Sequence, residues 1–241
     1  MIEIGQLLPN VTLFIEEASQ AKAISTRAFF VGRRVALFAV PGAFTPTCSS
    51  AHVPRFNALA RDFRRAGIDA VVCLAVNDLF VLGAWQQKLG AESLQFLADP
   101  KGDFARAVGL LKDLGPLGLR SRRYALIARD GVVEHCFVEA DHDGDPFEVS
   151  DADSLLSAHT GVLPPPAVLL FALEGCPRCA KTKELLDQRG LDYEVLHIGE
   201  QLSMQAVRAA TGRHQVPQVF IDGECIGGYE DLQRAFGANP G

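Results

Sequence analysis

No stretch of this chain stays apolar and uncharged for the roughly 18 residues that a bilayer span needs, so no membrane-spanning helix is expected. Positive charge is not in excess: 23 lysines and arginines stand against 29 aspartates and glutamates, a net charge of −6. That balance gives no electrostatic reason to expect nucleic acid or an anionic membrane as partner. The start, Met1-Ile2-Glu3-Ile4-Gly5, has neither a basic n-region nor a long apolar h-region, so no secretory signal is visible. Cysteine is sparse. Cys48, Cys73, Cys136, Cys176, Cys179 and Cys225 are six residues in 241, far below the density of a disulfide-stapled secreted domain. Reduced or transiently oxidised thiols, and with them a reducing, cytoplasmic location, are expected.

The composition that is present, 48% apolar and 22% charged, is ordinary for globular chains and supplies material for two cores. One strong break interrupts it. Thr160-Gly161-Val162-Leu163-Pro164-Pro165-Pro166 carries three consecutive prolines, which favour a stiff extended spacer over a helix or central strand. The expected organisation is therefore a first domain over 1–160, a linker over 161–166 and a second domain over 167–241.

In the first domain, residues 34–40 and 70–76 read as buried strands and 79–89 as a helix with the only tryptophan, Trp85. Residues 94–98 form a short strand, and 124–128 and 132–138 flank an Asp130-Gly131 hairpin turn. The spacing of Val53, Phe56, Leu59 and Phe63 predicts a helix from Ser49 to Ala66. In the second domain the order strand (167–171), helix (to about Gln188), strand (193–196), helix (204–210), hairpin around Asp222-Gly223 and last helix (231–236) matches a thioredoxin-type fold. The fold class is α/β: two thioredoxin-like domains, each a mixed central sheet flanked by helices.

Two cysteine sites of different kind stand out. Cys48 ends the turn Pro41-Gly42-Ala43-Phe44-Thr45-Pro46-Thr47 at a helix start, where backbone N–H groups and a cation favour a reactive thiolate. Thr45 is placed to hydrogen-bond the sulfur and a bound oxygen, and Pro41 to shield the pocket. His52, one turn later, is expected in the pocket wall or at the surface, because a thiolate already formed needs no base. Cys73 and Cys136 sit in apolar strands and read as packed residues. The second site, Cys176-Pro177-Arg178-Cys179, lies between a strand and a helix, the setting for disulfide exchange. A zinc site would need two more ligands, and Cys225, His197 and His214 offer no second close pair, so no metal is expected.

Pro41, Thr45 and Cys48 match the P-x-x-x-T-x-x-C pattern of peroxiredoxins. With Val76-Asn77-Asp78-Leu79-Phe80-Val81, Ala84-Trp85 and Val149-Ser150-Asp151-Ala152-Asp153, the first domain resembles the type-five (type II) class. The resemblance implies a cysteine that attacks a peroxide and becomes a sulfenic acid. It also implies an activating arginine before a late core strand, here Arg123, with Arg122 the adjacent register. Residues 167–237 resemble glutaredoxin, through Cys176-Pro177-x-Cys179, Val216-Pro217 before a strand, and Gly227-Gly228-Tyr229-Glu230-Asp231. That resemblance implies glutathione along the Val216 and Pro217 backbone and beside Gly228. It puts the γ-glutamyl amine towards Asp231 and Glu230, and the glycine carboxylate towards Arg213. Arg178 stands where glutaredoxins commonly have an aromatic residue, and Leu173 where many have lysine, so Arg178 is expected to take over the missing cation's role.

The order of the two domains resembles hybrid peroxiredoxin–glutaredoxin enzymes. The implied function is a glutathione-dependent thiol peroxidase, with hydroperoxide and glutathione as partners, no tightly bound cofactor, and a homo-oligomeric state. Two rivals remain open at this point. One is a peroxide sensor that passes oxidation to partner proteins. The other is an iron–sulfur module in which Cys176 ligates a cluster with glutathione.

Overall fold

In the computed structural model, which describes residues 1–17, 20–141 and 145–237, the first strands form a hairpin, β1 (Thr12–Glu17) with β2 (Gln20–Ser25), followed by the short helix α1 (Thr26–Phe30). The apolar run Arg34–Ala39 is β3. A turn over Cys48–His52, α2 (Val53–Ala58) and α3 (Ala60–Arg65) lead to β4 (Ala70–Ala75). Then come α4 (Leu79–Leu89), β5 (Gln95–Ala98), α5 (Asp103–Ala107) and the two short strands β6 (Leu111–Asp113) and β7 (Leu119–Ser121). The hairpin β8 (Tyr124–Arg129) and β9 (Val132–Val138) and the helix α6 (Ala152–Thr160) complete the first unit.

Seven strands make one mixed sheet in the order β2-β1-β5-β4-β3-β8-β9, with β3 parallel to β4 and antiparallel to β8. Alternation along β3 explains its two-sided burial. Ala36 and Phe38 face a core with Phe56, Phe63, Trp85 and Ile127, whereas Val35 and Leu37 face Phe29, Phe30, Phe104 and Leu126. Each such phenylalanine contributes about 1.5–3 kcal/mol by leaving water. Cys48 belongs to the first of these cores and is wholly buried.

The single helix expected from Ser49 to Ala66 is instead three pieces. Cys48–His52 is a π-type turn, in which the Val53 N–H bonds the Cys48 carbonyl. Pro54 has no N–H to give the Ser50 carbonyl, so the ordinary α-type ladder cannot close there. A second break falls at Leu59, whose ψ of 2° leaves the helical range. α4, by contrast, runs as expected, with the Asp78 carboxylate accepting from Phe80 and Val81 N–H, and Gly90 ending it at φ 60°.

The chain divides into two compact units, Met1–Pro164 and Pro165–Gly241. The second contains β10 (Val168–Ala172), α7 (Pro177–Gln188), β11 (Tyr193–His197), α8 (Met204–Thr211), β12 (Gln218–Ile221), β13 (Glu224–Gly227) and α9 (Tyr229–Gly237). Its sheet order is β11-β10-β12-β13, parallel between β10 and β11 and antiparallel elsewhere. Leu170, Cys179, Leu186, Val219 and Leu232 form its core.

Candidate active sites

In the first unit, β3 delivers the chain to Pro41, and the loop after it is pinned by Ala43 N–H donating to Asn77 Oδ1 at 2.9 Å. Phe44 adopts φ 63°, an unusual conformation for a side chain of that size. Its ring packs towards Trp85 and carries Lys88 above its face. Ser49 N–H bonds the Thr45 carbonyl at 3.0 Å and Trp85 Nε1 bonds Ser49 Oγ at 3.0 Å, which fixes the turn holding Cys48.

Arg123, the residue before β8, reaches this turn. Its Nη1 lies 3.3 Å from Cys48 Sγ, its Nε donates to Pro146 O at 3.0 Å, and its Nη2 pairs with Asp145. Arg123 is 3% exposed. Arg122 points elsewhere, with Nη2 bonding Glu139 O and Nη1 near Asp141, so of the two registers Arg123 is the one beside the sulfur. Thr45 Oγ1 donates to Gly42 O at 2.9 Å. With its proton on that carbonyl, the hydroxyl presents its lone pairs towards a peroxide. Pro41, Thr45, Pro46 and Arg123 line a cavity of about 550 Å³ that Leu114 and Leu117 close on another side.

His52, expected in the wall or at the surface, is fully buried behind the guanidinium, within 3.0 Å of Arg123 Nη1. Asp145 and Glu139 belong to the same cluster and were not singled out in the sequence. The only sequence signal near them is the run of acids at Asp141, Asp143 and Asp145. Cys73 lies deep in the core, and burial, then the neighbouring Cys48, push its thiol well above the ordinary value. Burial pushes Cys136 up as well. Neither thiol is activated.

In the second unit Cys176 caps α7. Its sulfur accepts the Cys179 N–H at 3.2 Å, and the two sulfurs are 2.7 Å apart with both thiols free. Cys176 is half-buried, whereas Cys179 is 3% exposed and its thiol is pushed up to about 11 by burial and then by Cys176. Val216–Pro217 is a cis peptide at the start of β12. Arg178 Nη2 lies 3.4 Å from Glu230 Oε1, both exposed. Asp231 Oδ2 accepts the Gly228 N–H at 3.0 Å and pairs with Arg213, while Oδ1 pairs with Arg234. The Arg213 hydrogen bond first, then the Gly228 amide, hold the Asp231 carboxyl at about 2. Arg213 and Asp231, expected at opposite ends of a bound tripeptide, are thus partners of each other. Gly227 permits that pairing: at φ 114°, a Cβ there would stand 2.3 Å from Asp231 Oδ2. Cys225 is exposed. Among the described residues no group of three or more His, Cys, Asp or Glu could hold a metal, and no helix is long and apolar enough to cross a membrane.

Comparison with known proteins matches residues 3–156 to the Redoxin family and 168–226 to Glutaredoxin. Over 240 residues the chain is 41% identical to the hybrid peroxiredoxin hyPrx5 of Haemophilus influenzae, covering 96% of this chain and 98% of that one. The chain belongs to the hybrid peroxiredoxin family. It is accordingly a thiol peroxidase, an oxidoreductase built of a redoxin unit followed by a glutaredoxin unit. The redoxin unit is also similar to reduced Prx3 of Vibrio vulnificus in complex with hydrogen peroxide, with 43% identity, a TM-score of 0.63, and coverage of 66% of this chain and 99% of that one. Chloroplastic peroxiredoxin-2E of Arabidopsis thaliana is 42% identical over 164 residues, 65% of this chain and 69% of the relative.

Proposed function

We propose that this thiol peroxidase uses glutathione as its reductant, with Cys48 as the peroxidatic sulfur and Cys176 as the thiol that regenerates it. The observation that carries the reading is the Arg123 guanidinium 3.3 Å from Cys48 Sγ, in a redoxin unit whose other two thiols, buried Cys73 and half-buried Cys136, are both shifted up. The Cys48 thiolate attacks the terminal oxygen of a hydroperoxide. The O–O bond breaks, a proton goes to the departing alkoxide or hydroxide, and Cys48 becomes a sulfenic acid. Arg123 donates to the charge that develops on oxygen, and Thr45 Oγ1 accepts from the peroxide O–H. Hydrogen peroxide and alkyl hydroperoxides both fit this scheme, and the cavity beside Arg123 has room for an organic group.

With no activated second thiol in the redoxin unit, an outside thiol must reduce the sulfenic acid. Glutathione condenses with it, releasing water and leaving a Cys48–glutathione disulfide. The Cys176 thiolate takes the glutathionyl group and frees Cys48. A second glutathione then gives oxidised glutathione and Cys176 thiol, or Cys179 displaces glutathione to form the Cys176–Cys179 disulfide. In the glutaredoxin unit the tripeptide lies along Val216 and Pro217. Its γ-glutamyl amine meets Glu230 and a carboxylate meets Arg178, beside Gly228. Residues 161–166 tether the two units and keep the reductase at high effective concentration.

The test is peroxide consumption coupled to glutathione, glutathione reductase and NADPH. Cys48→Ser abolishes turnover, Cys176→Ser removes most of it, and Cys179→Ser keeps a substantial part. Full activity in Cys176→Ser overturns the glutathione route through the second unit.

A further inference from the structure

His52 takes no part in the cycle above, yet it is the most completely enclosed polar group beside Cys48. Phe38, Phe56 and Phe147 surround its ring, with centroids 4.9, 5.4 and 4.8 Å away. Its Nε2 is 3.0 Å from Ser150 O and its Nδ1 is 3.0 Å from Arg123 Nη1. A carbonyl can only accept and a guanidinium can only donate, so Nε2 carries the hydrogen and Nδ1 the lone pair. Burial, then the Arg123 charge, lower its pKa to about 3, against the opposing influence of Glu139 and Asp145. The ring is a neutral acceptor aimed at Arg123.

That acceptor is itself anchored. Glu139, 3% exposed, takes Ser150 N–H at 2.8 Å, Ser150 Oγ–H at 2.7 Å, and the N–H groups of Glu148 and Val149 at 3.0 Å. Burial pulls the Glu139 carboxyl up, but these donors outweigh it and hold it low. The chain of bonds runs from Glu139 through Ser150 and His52 to Arg123, and ends on the sulfur. It decides the hydrogen count of the guanidinium. Nε is used by Pro146 and one Nη2 hydrogen by Asp145, while Nη1 splits its two hydrogens between His52 and Cys48. One hydrogen, on Nη2, has no partner among the described residues.

We propose that His52 is a positioning residue of the peroxide site: by accepting one Nη1 hydrogen it turns the other onto Cys48 Sγ, and Ser150 and Glu139 hold it in place. The inference rests on the reading of Cys48 and Arg123 as the reacting pair. The two nitrogens of His52 are separable by substitution. His52→Asn puts an amide oxygen where Nδ1 stands and so keeps the acceptor, whereas His52→Gln keeps the donor to Ser150 and loses the acceptor. In the full chain, two rates are measured for each: oxidation of Cys48 by hydrogen peroxide in rapid mixing, and alkylation of Cys48 by iodoacetamide, which involves no peroxide. Misplacing the guanidinium should slow oxidation about 100-fold in His52→Gln, with a smaller fall in alkylation, and His52→Asn should be about tenfold faster than His52→Gln at equal melting temperature. Equal oxidation rates in the two variants, or equal falls in oxidation and alkylation, overturn the proposal. Should either variant not fold, Glu139→Ala is measured instead: oxidation must fall more than alkylation, and unchanged rates overturn the proposal. Arg123→Lys is the control. If it too leaves oxidation unchanged, the reading of the reacting pair fails, whereas a slow Arg123→Lys beside unaffected His52 variants sinks only the positioning role.

Discussion

Arg123 Nη1 and Cys48 Sγ are 3.3 Å apart although 75 residues separate them in sequence. The antiparallel pairing of β8 with β3, which sets Tyr124 opposite Ala39, makes the meeting unavoidable. It brings the residue before β8 to the end of β3, where the loop to Cys48 begins. A guanidinium presents hydrogens in a planar fork, so it can hold the sulfur and a peroxide oxygen at once; an ammonium is a single point of charge. Arg123→Lys is therefore expected to lower the rate of Cys48 oxidation about 100-fold, the scale of one lost donor at a developing charge. Rapid-mixing kinetics with hydrogen peroxide measure it, and a loss under about threefold would remove Arg123 from the reaction.

Cys179 supplies a pH test. Burial first, and Cys176 second, push its thiol up to about 11 from an ordinary 9.0. At neutral pH it is a protonated thiol, so any step in which it attacks a Cys176–glutathione disulfide quickens as its thiolate fraction grows, about tenfold per pH unit. At low glutathione, wild-type turnover should keep rising between pH 8 and pH 10 on this account, and Cys179→Ser should follow only the titration of glutathione itself. Indistinguishable profiles would show that Cys179 carries no flux. The same shift has a stability consequence. The folded state holds a proton that the unfolded chain releases, so the contribution is whole below about 9 and lost as pH rises through about 11.

Much of this was legible in the sequence, and the reasons are local. Both Asp-Gly turns form the predicted hairpins, with Asp130 and Gly131 at φ 51° and 79° and Asp222 and Gly223 at φ 49° and 83°, the left-handed pair that such turns need. The helix at Leu79–Leu89 and the strand at Val132–Val138 fall on their expected residues because caps and alternation mark them. What escaped depends on distance. In the hairpin of β1 and β2, the second strand is mostly exposed and carries no apolar alternation strong enough to read, and the short β6 and β7 are three residues each. The bond from His52 to Ser150 spans 98 residues, and no periodicity reports it. The Arg213–Asp231 pair likewise follows from tertiary placement, which is why a ligand role for each was easier to read than their contact with one another.

Asp231 gives an acid-side prediction. The hydrogen bond from Arg213, then the Gly228 amide, lower its carboxyl from 3.8 to about 2. A depressed carboxylate stabilises the fold above its unfolded value and loses that contribution as pH falls through the folded one. Asp231→Asn should therefore weaken the glutaredoxin unit at pH 5 and flatten its acid denaturation between about pH 4 and pH 2. Circular dichroism during acid titration of the full chain is the measurement. An unchanged acid limb would mean that Arg213 and Arg234 find other partners. Because the pair also fixes the Gly228 amide, Asp231→Asn should raise the KM for glutathione more than it lowers kcat.

The core beneath Cys48 can be tested by its stability alone. Phe56 stacks on Phe38 with ring centroids 4.0 Å apart and planes within 6°, and lies 5.7 Å from Phe63. It is fully buried and also meets the His52 ring, 5.4 Å away. Truncation removes transfer energy and leaves a void that flat neighbouring rings cannot close, so Phe56→Ala should destabilise the redoxin unit by about 3–5 kcal/mol. Phe56→Leu keeps much of the volume and should lose under about half of that. The chain has one tryptophan, Trp85, which sits in the same core, so its fluorescence during urea unfolding reports this unit alone. A midpoint shift with an unchanged slope is the expected signature. A loss near 1 kcal/mol for Phe56→Ala would show instead that Phe38 and Phe63 collapse into the space, in which case the wall behind His52 is soft.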